Sequence, residues 1–298
     1  IFHSVSAFCN AGIDIIGSTS FQQYALSPLI NFTTMFLIVM GGLGFPVWHD
    51  IATNVRKIGK ERKRPLKWLF TRLSLQSRIV IVMTLSLILF GTLCFFIIEF
   101  ENPATMKDMN VFQKIMASMF QSVTTRTAGY ATVSQAGLEE SSKLIGCILM
   151  FVGGSPAGTA GGIKTTTAAM LVLTVLCVLR NRRDTECFDR KIDTESIKSG
   201  VTIALITFLV LFTGIMALTV FEPGVDVLDL MYEAASAMGT VGLSADLTPS
   251  LTRASHIVLM LMMYIGRIGP LTMALVFAGK SDKSSQFREL PEEKVMLG

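Results

Sequence analysis

Three short stretches of this 298-residue chain turn on a glycine in the same setting. They are Cys9-Asn10-Ala11-Gly12, Arg126-Thr127-Ala128-Gly129 and Gly239-Thr240-Val241-Gly242, followed by Ile13, Tyr130 and Leu243. Each places a polar residue, a small or β-branched apolar residue, the glycine and a bulky apolar residue in that order. Glycine accepts backbone angles closed to other residues, so such a turn can aim consecutive carbonyl oxygens at one point. Converging carbonyls are the chemistry of a cation filter, because they replace the ion's hydration shell without adding a formal charge. Each turn follows a short, mostly apolar segment, at 3–7, 117–124 and 232–238. As a helix, such a segment points its partially negative C-terminal end at the turn. The rival reading is three ordinary tight turns. The separations, 117 residues from Gly12 to Gly129 and 113 from there to Gly242, favour a repeat.

A second group of residues lies in Leu144 to Leu179, which is 36 residues long with one charge, Lys164. As one helix it would run about 54 Å, well past the hydrocarbon of a bilayer. Its middle reads Gly153-Gly154-Ser155-Pro156-Ala157-Gly158-Thr159-Ala160-Gly161-Gly162. Five glycines and a proline there predict two half-helices with an irregular loop between them. Such backbone at membrane depth is tolerated where it lines a cavity, and broken helices near the midplane mark ion paths, so this reads as a flexible small-residue loop across a pore with Lys164 near its inner end. The run from Gly158 to Thr166 has the outline of a nucleotide-binding loop, but Ile163 separates Gly162 from Lys164 and no strand precedes it. Arg267 is the one charge between Ala254 and Gly279. A charge in a span usually faces the bundle interior, so Arg267 reads as a positive barrier in a pore. The alternative is an ion pair with an acid on another span, and the charge-free spans offer none.

These features need spans to hold them. The chain is 51% apolar and 16% charged, against about 25% charged in an ordinary soluble domain. No charge occurs from Ile79 to Ile98 or from Ser199 to Phe221. The fold class expected is an all-α polytopic membrane protein. Nine Lys and Arg lie between Val55 and Arg78 against one acid, Glu61, and six more lie between Arg180 and Lys198. The other connections lean acidic, with Glu99, Glu101, Asp108, Glu139 and Glu140 in one and Glu222, Asp226, Asp229, Glu233 and Asp246 in another. Excess Lys and Arg marks cytoplasmic loops, which places the glycine turns toward the outer face. Lying between two spans, the basic run does not read as a nucleic-acid site. The five cysteines show no CxxC spacing and read as small core residues, and His3, His49 and His256 are scattered. Trp48 and Trp68 fit an interfacial belt.

In order, 1–52 reads as a short helix, glycine turn and span (about 29–52), and 53–78 as a basic cytoplasmic loop. Residues 79–180 form a span, a re-entrant helix (about 110–124), the second turn and the broken span. Residues 181–198 form a cytoplasmic loop. Residues 199–279 form a span, a re-entrant helix (226–238), the third turn and a closing span (251–279), and 280–298 a cytoplasmic tail. The unit is span, re-entrant helix, glycine turn, span, with the opening span of the first copy absent.

The segments FHSVSAFCNAGI, QSVTTRTAGY, FVGGSPAGTAGGIKTTT, SAMGTVGLS and YIGRIGPLT closely resemble the Trk/Ktr/HKT superfamily of potassium transporters, and within it the KtrB-type membrane subunits of bacterial uptake systems. The resemblance covers essentially the whole chain and departs at Cys9, where asparagine is usual. It implies four repeats around one pore, with a partial second, the third and the fourth present here and the first missing, as in a fragment. It implies that Gly12, Gly129 and Gly242 are filter glycines, that Gly153 to Gly162 with Lys164 form a gate loop, and that Arg267 is the pore arginine. It further implies potassium as the transported ion, no cofactor, and a homodimer in the bacterial cell membrane. The expected partner is a KtrA-like cytosolic ring of nucleotide-binding regulatory subunits, often with sodium dependence. A proton- or sodium-coupled secondary cation transporter is the alternative. That reading expects a carboxylate at mid-membrane. An enzyme would show clustered His, Asp or Glu in the spans, and none is seen.

Overall fold

The structure, a computed structural model, describes residues 1–17, 19–60, 70–182 and 184–269. Among them the helices are α1 (Phe2–Phe8), α2 (Pro28–Gly42), α3 (Phe45–Lys60), α4 (Leu75–Ile98), α5 (Val111–Thr124), α6 (Glu140–Phe151), α7 (Thr165–Leu179), α8 (Thr194–Phe221), α9 (Val227–Gly239) and α10 (Arg253–Ile268). The strands described are a two-residue antiparallel pair, β1 (Glu186–Cys187) with β2 (Arg190–Lys191).

Only α4 and α8 are each long and apolar enough to cross a membrane among the described residues. Both start on a polar cap. The Ser74 hydroxyl accepts from the Ser77 N–H (3.2 Å), and the Asp193 carboxylate accepts from the Ser196 N–H (2.8 Å). That N–H holds the Asp193 carboxyl below the usual carboxylate range. Along α4, Leu85, Leu89, Leu93 and Ile97 stand exposed at i, i+4 spacing, and on α8 Leu205, Leu209, Phe212 and Met216 stand exposed at steps of three and four. In water such stripes would be costly; in lipid they are the expected outer surface.

The short helices are the reverse. At 14 and 13 residues, α5 and α9 cannot cross about 30 Å of hydrocarbon, and both are almost entirely buried in their C-terminal halves. α5 packs against α4, and α9 against α6 and α10, while α1 packs against α2. The core therefore forms around helices that end inside the molecule. Phe21 and Tyr130 stack with ring centroids 4.6 Å apart and join the first unit to the second.

Two expectations need correction. The span expected at about 29–52 is not one helix. α2 stops at Gly42 and the chain bends by 97° into α3. Pro46 has no N–H to return to the Gly42 carbonyl, and that carbonyl instead accepts from Ser155 N–H (3.0 Å). Thr159 N–H bonds the Gly41 carbonyl (3.4 Å), and Phe45 N–H bonds the Ala157 carbonyl (3.2 Å), so the glycine-rich loop is wedged into the bend. Trp48 spans the same bend, its indole N–H donating to the Met40 carbonyl (2.8 Å). The second correction concerns Arg267. Instead of the middle of a helix over 251–279, it occupies the last turn of α10, which closes at Gly269 with φ +96°. Trp68 with the rest of 61–69 in the basic run, the end of that span and the tail 280–298 lie outside the described residues.

Candidate functional site

The three glycine turns, more than 100 residues apart in sequence, meet in space. An ideal Cβ on Gly12 would lie 2.3 Å from the Ala128 carbonyl oxygen, and one on Gly129 would lie 2.3 Å from the Val241 oxygen. A Cβ on Gly242 would come 3.8 Å from the Gly129 Cα. Each glycine has positive φ (+64°, +85° and +92°). The residues two positions earlier, Asn10, Thr127 and Thr240, are left-handed too, with φ of 49°, 70° and 54°. A non-glycine residue there is strained and persists only where its surroundings hold it. The same local geometry thus recurs at three equivalent places.

The surroundings repeat as well. A hydroxyl near the end of each short helix reaches forward to its glycine or to the residue after it. Ser6 Oγ accepts from Ile13 N–H (3.0 Å), Thr124 Oγ1 donates to the Tyr130 carbonyl (2.6 Å), and Ser236 Oγ accepts from Gly242 N–H (3.1 Å). The residue before each glycine gives its N–H to the carbonyl of the same hydroxyl residue, as Ala11 to Ser6 (2.9 Å), Ala128 to Thr124 (3.0 Å) and Val241 to Ser236 (2.9 Å). Bonds also run between turns. Asn10 Nδ2 donates to the Arg126 carbonyl (3.3 Å), and the Tyr130 hydroxyl to the Ile13 carbonyl (3.3 Å).

The loop between α6 and α7 lies against these turns. Gly153 N–H bonds the Ile163 carbonyl (2.9 Å) and Gly154 N–H the Gly161 carbonyl (3.4 Å), so the loop is a narrow hairpin. Inside it, Ser155 Oγ pairs with Thr165 Oγ1 (3.1 Å), Ala157 is left-handed, and Ala160 is buried. Pro156 and Gly158 pack on Gly44. Gly161 and Gly162 allow close approach: a Cβ on Gly161 would sit 2.1 Å from Thr240 Oγ1 of the third turn. Thr159 reaches the first turn, its hydroxyl within 3.2 Å of the Phe8 carbonyl and 3.1 Å of Asn10 Oδ1. Arg267 Nη1 donates to the Thr159 carbonyl (2.9 Å), and Lys164 Nζ to the Ala160 carbonyl (2.8 Å). The bond described for the Arg267 side chain thus goes to the backbone of the loop.

Arg126 is buried, with Nη1 on the Thr84 carbonyl (3.1 Å) and Nη2 on the Gly153 carbonyl (3.3 Å). Its side chain ties the second turn to the root of the loop, a role separate from any its backbone has in the turn. A cavity of about 650 Å³ opens beside the first and third turns, lined by Cys9, Asn10, Ala11, Thr240, Gly242 and Arg267 among others. Gly239 packs its Cα face on the Met150 carbonyl.

Sequence reasoning missed the hydroxyls Ser6, Thr124 and Ser236, although their recurrence six, five and six residues before the glycines was visible. It also grouped Glu233 with the outer acids. Glu233 is buried, 4% exposed, and its carboxylate faces the segment after the third turn. The three histidines do not come together, and the described residues contain no group of three or more His, Cys, Asp or Glu fit to hold a metal.

Comparison with known proteins bears on this geometry. The sequence matches the TrkH family, described as cation transport protein, over residues 1–287. It is 34% identical over 298 residues to the Ktr system potassium uptake protein B of Bacillus subtilis, and 33% identical over 303 residues to the potassium/sodium uptake protein NtpJ of Enterococcus hirae. Each alignment takes in all of this chain and 63% of the relative, so the chain spans just under two thirds of their length. The fold is similar to the crystal structure of the potassium transporter TrkH from Vibrio parahaemolyticus. The TM-score is 0.70 at 17% identity, covering 92% of this chain and 57% of that one. With two to three apolar spans among the described residues, two short helices (α5 and α9) buried in their C-terminal halves and a family match over nearly its whole length, the chain is a polytopic membrane protein that belongs to the TrkH family of cation transport proteins.

Proposed function

We propose that this chain supplies the ion-conducting part of a potassium uptake protein, with the three glycine turns as its selectivity filter. The observation that carries this reading is their convergence in one left-handed geometry. Such a backbone rotates successive peptide planes, and carbonyls so turned can replace water around a potassium ion. The C-terminal ends of α1, α5 and α9 lead into the turns and add their negative partial charge. The loop 153–162 is the gate. Its bonds to the first turn, to the α2–α3 bend and to Arg267 support this reading, in which displacing the loop opens a path.

Arg267 acts here in two ways. It anchors Thr159, and its charge opposes a cation leaving the turns. At about 8 Å and an effective dielectric of about 20 the repulsion is about 2 kcal/mol. On a rate-limiting barrier that slows conduction about thirtyfold. Three units surround the turns, and a cavity lies beside the first and third. A homodimer, a KtrA-like nucleotide-binding ring below it and sodium dependence follow from the resemblance and extend the same proposal. A proton- or sodium-coupled transporter needs a carboxylate free to exchange its ion. Glu233 is the buried acid nearest the turns, and its oxygens already accept from Ser244, Ala245 and Thr248, which favours a filter with a brace over a coupling site.

The test places Gly129→Ser and Gly242→Ser in the full-length parent, in cells lacking other potassium uptake. Both should lose discrimination of potassium against sodium, Gly129→Ser more, because its Cβ meets a carbonyl oxygen and that of Gly242 meets little. Unchanged uptake and selectivity in both would sink the filter assignment.

A further inference from the structure

The hydroxyls of Ser6, Thr124 and Ser236 are one half of a repeated device. Three residues before each, on the same helix face, stands a second polar side chain: His3 before Ser6, Gln121 before Thr124, Glu233 before Ser236. Each bonds to the chain beyond its own glycine. His3 Nε2 accepts from Ile15 N–H (3.4 Å), and Gln121 exchanges side-chain bonds with Gln135 (2.7 and 3.1 Å). The Glu233 carboxylate accepts from Ser244 Oγ (2.5 Å), Ala245 N–H (3.0 Å) and Thr248 Oγ1 (2.8 Å). One spacing carries three chemistries: an imidazole, an amide and a carboxylate.

We infer that this i, i+3 pair is a two-point brace for each glycine turn, and that Glu233 is the positioning residue that gives the third turn the largest share of ion selection. The inference rests on the filter reading above. Hydrogen bonds to a carboxylate are roughly twice as strong as neutral ones, and three converge on Glu233 where His3 has one long bond. The strained Thr240 and the Gly242 turn lie between the two anchor points of that brace, so they have the least freedom to adjust to a smaller ion. The Tyr232 hydroxyl, next along α9, donates to Gln135 Oε1 (2.7 Å) and couples this brace to the second one. The first turn, which has the weakest brace, takes a side-chain bond from the gate loop through Thr159, while the third meets that loop by the packing of Gly161 on Thr240. A stiff third turn and a compliant first turn divide selection from gating.

The experiment reconstitutes the full-length parent in proteoliposomes as wild type, Glu233→Ala and Glu233→Gln. Potassium and sodium fluxes are measured beside amide hydrogen exchange over residues 242–248. Glu233→Ala should lower the potassium-to-sodium ratio about tenfold, the scale of a lost charged hydrogen bond. Exchange over 242–248 should quicken while that of the second turn, 125–130, stays as in wild type. Glu233→Gln keeps the shape and one acceptor and should recover part of both. Folded Glu233→Ala with wild-type ratio and wild-type exchange overturns the inference. Where position 233 does not tolerate alanine, Ser244→Ala with Thr248→Val removes two of the three donors from the other side and is judged by the same two readouts. A wild type that moves no potassium overturns the transport reading instead, and exchange alone then decides the brace.

Discussion

The long helices and the short ones obey opposite rules. On α4 and α8 most large apolar side chains face outward, and the few buried positions mix small or polar residues (Ser77, Thr84 and Gly91 on α4, Gly200, Thr207 and Gly214 on α8) with apolar ones (Ile79, Val80 and Phe95, and Leu218). On α5 and α9 the buried set includes Phe120, Gln121, Tyr232 and Glu233, polar groups among the apolar ones. The difference follows from what each must do. A span needs lipid-compatible surface and close approach to its neighbours, which small residues allow. A helix that ends inside the membrane must satisfy its own last carbonyls and hold an irregular turn, which requires buried polar side chains with partners. Stability in this molecule therefore lies where short helices meet spans, and little of it lies on the outer wall.

The strongest way to break that contrast is at a point of contact. Gly266 on α10 lies against α9 so closely that a Cβ would sit 2.0 Å from the Met238 carbonyl oxygen, a backbone atom that cannot rotate away. Gly41 on α2 meets the Phe8 carbonyl at the end of α1 in the same manner, at 1.8 Å. Gly266→Ala should force α10 off α9 and cost about 3 kcal/mol, in the upper range for overpacking. Thermal unfolding of the purified protein measures this, and wild-type stability for the alanine variant would show that the helices pack less tightly than described.

Next in size is the network behind the turns. Tyr232→Phe removes the donor to Gln135 and leaves a buried amide oxygen still bonded to Gln121. The expected loss is about 1–2 kcal/mol, below the cost of a fully orphaned group. Gln135→Ala should cost more, since it strips Gln121 and Tyr232 together. A larger effect from Tyr232→Phe than from Gln135→Ala would contradict the network.

Much of this organisation is legible in the sequence, and the reason is periodicity. The glycine turns recur with near-constant spacing, the short helices are too brief to span, and five glycines with Pro156 interrupt 144–179. What stays hidden depends on partners far along the chain. Hydropathy runs through Gly41 to Pro46 without a break, and the 97° bend becomes clear only when the loop at 155–159 is seen to take the freed carbonyls. Glu233 shares its stretch with Asp226 and Asp229, so charge counting places it outside, yet its partners arrive only after the turn, at 244–248. Arg126 looks like one more turn residue, because its two carbonyl partners, at Thr84 and Gly153, lie 42 and 27 residues away.

The smallest expected effect sharpens the comparison from the other side. Leu89 on α4 is 69% exposed. For a soluble protein, Leu→Ala at a buried site costs about 2–5 kcal/mol, since apolar surface returns to water and a cavity remains. Neither term applies on a lipid-facing stripe, where hydrocarbon or detergent fills the space left behind. Leu89→Ala should therefore shift stability by less than about 0.5 kcal/mol and leave uptake unchanged. A loss of 2 kcal/mol or more, on the order of a core truncation, would mean that another helix or a second copy of the chain covers this face of α4. Measuring the same variant in detergent and in lipid vesicles separates those two cases, because a contact between copies weakens on dilution and a contact within the chain does not.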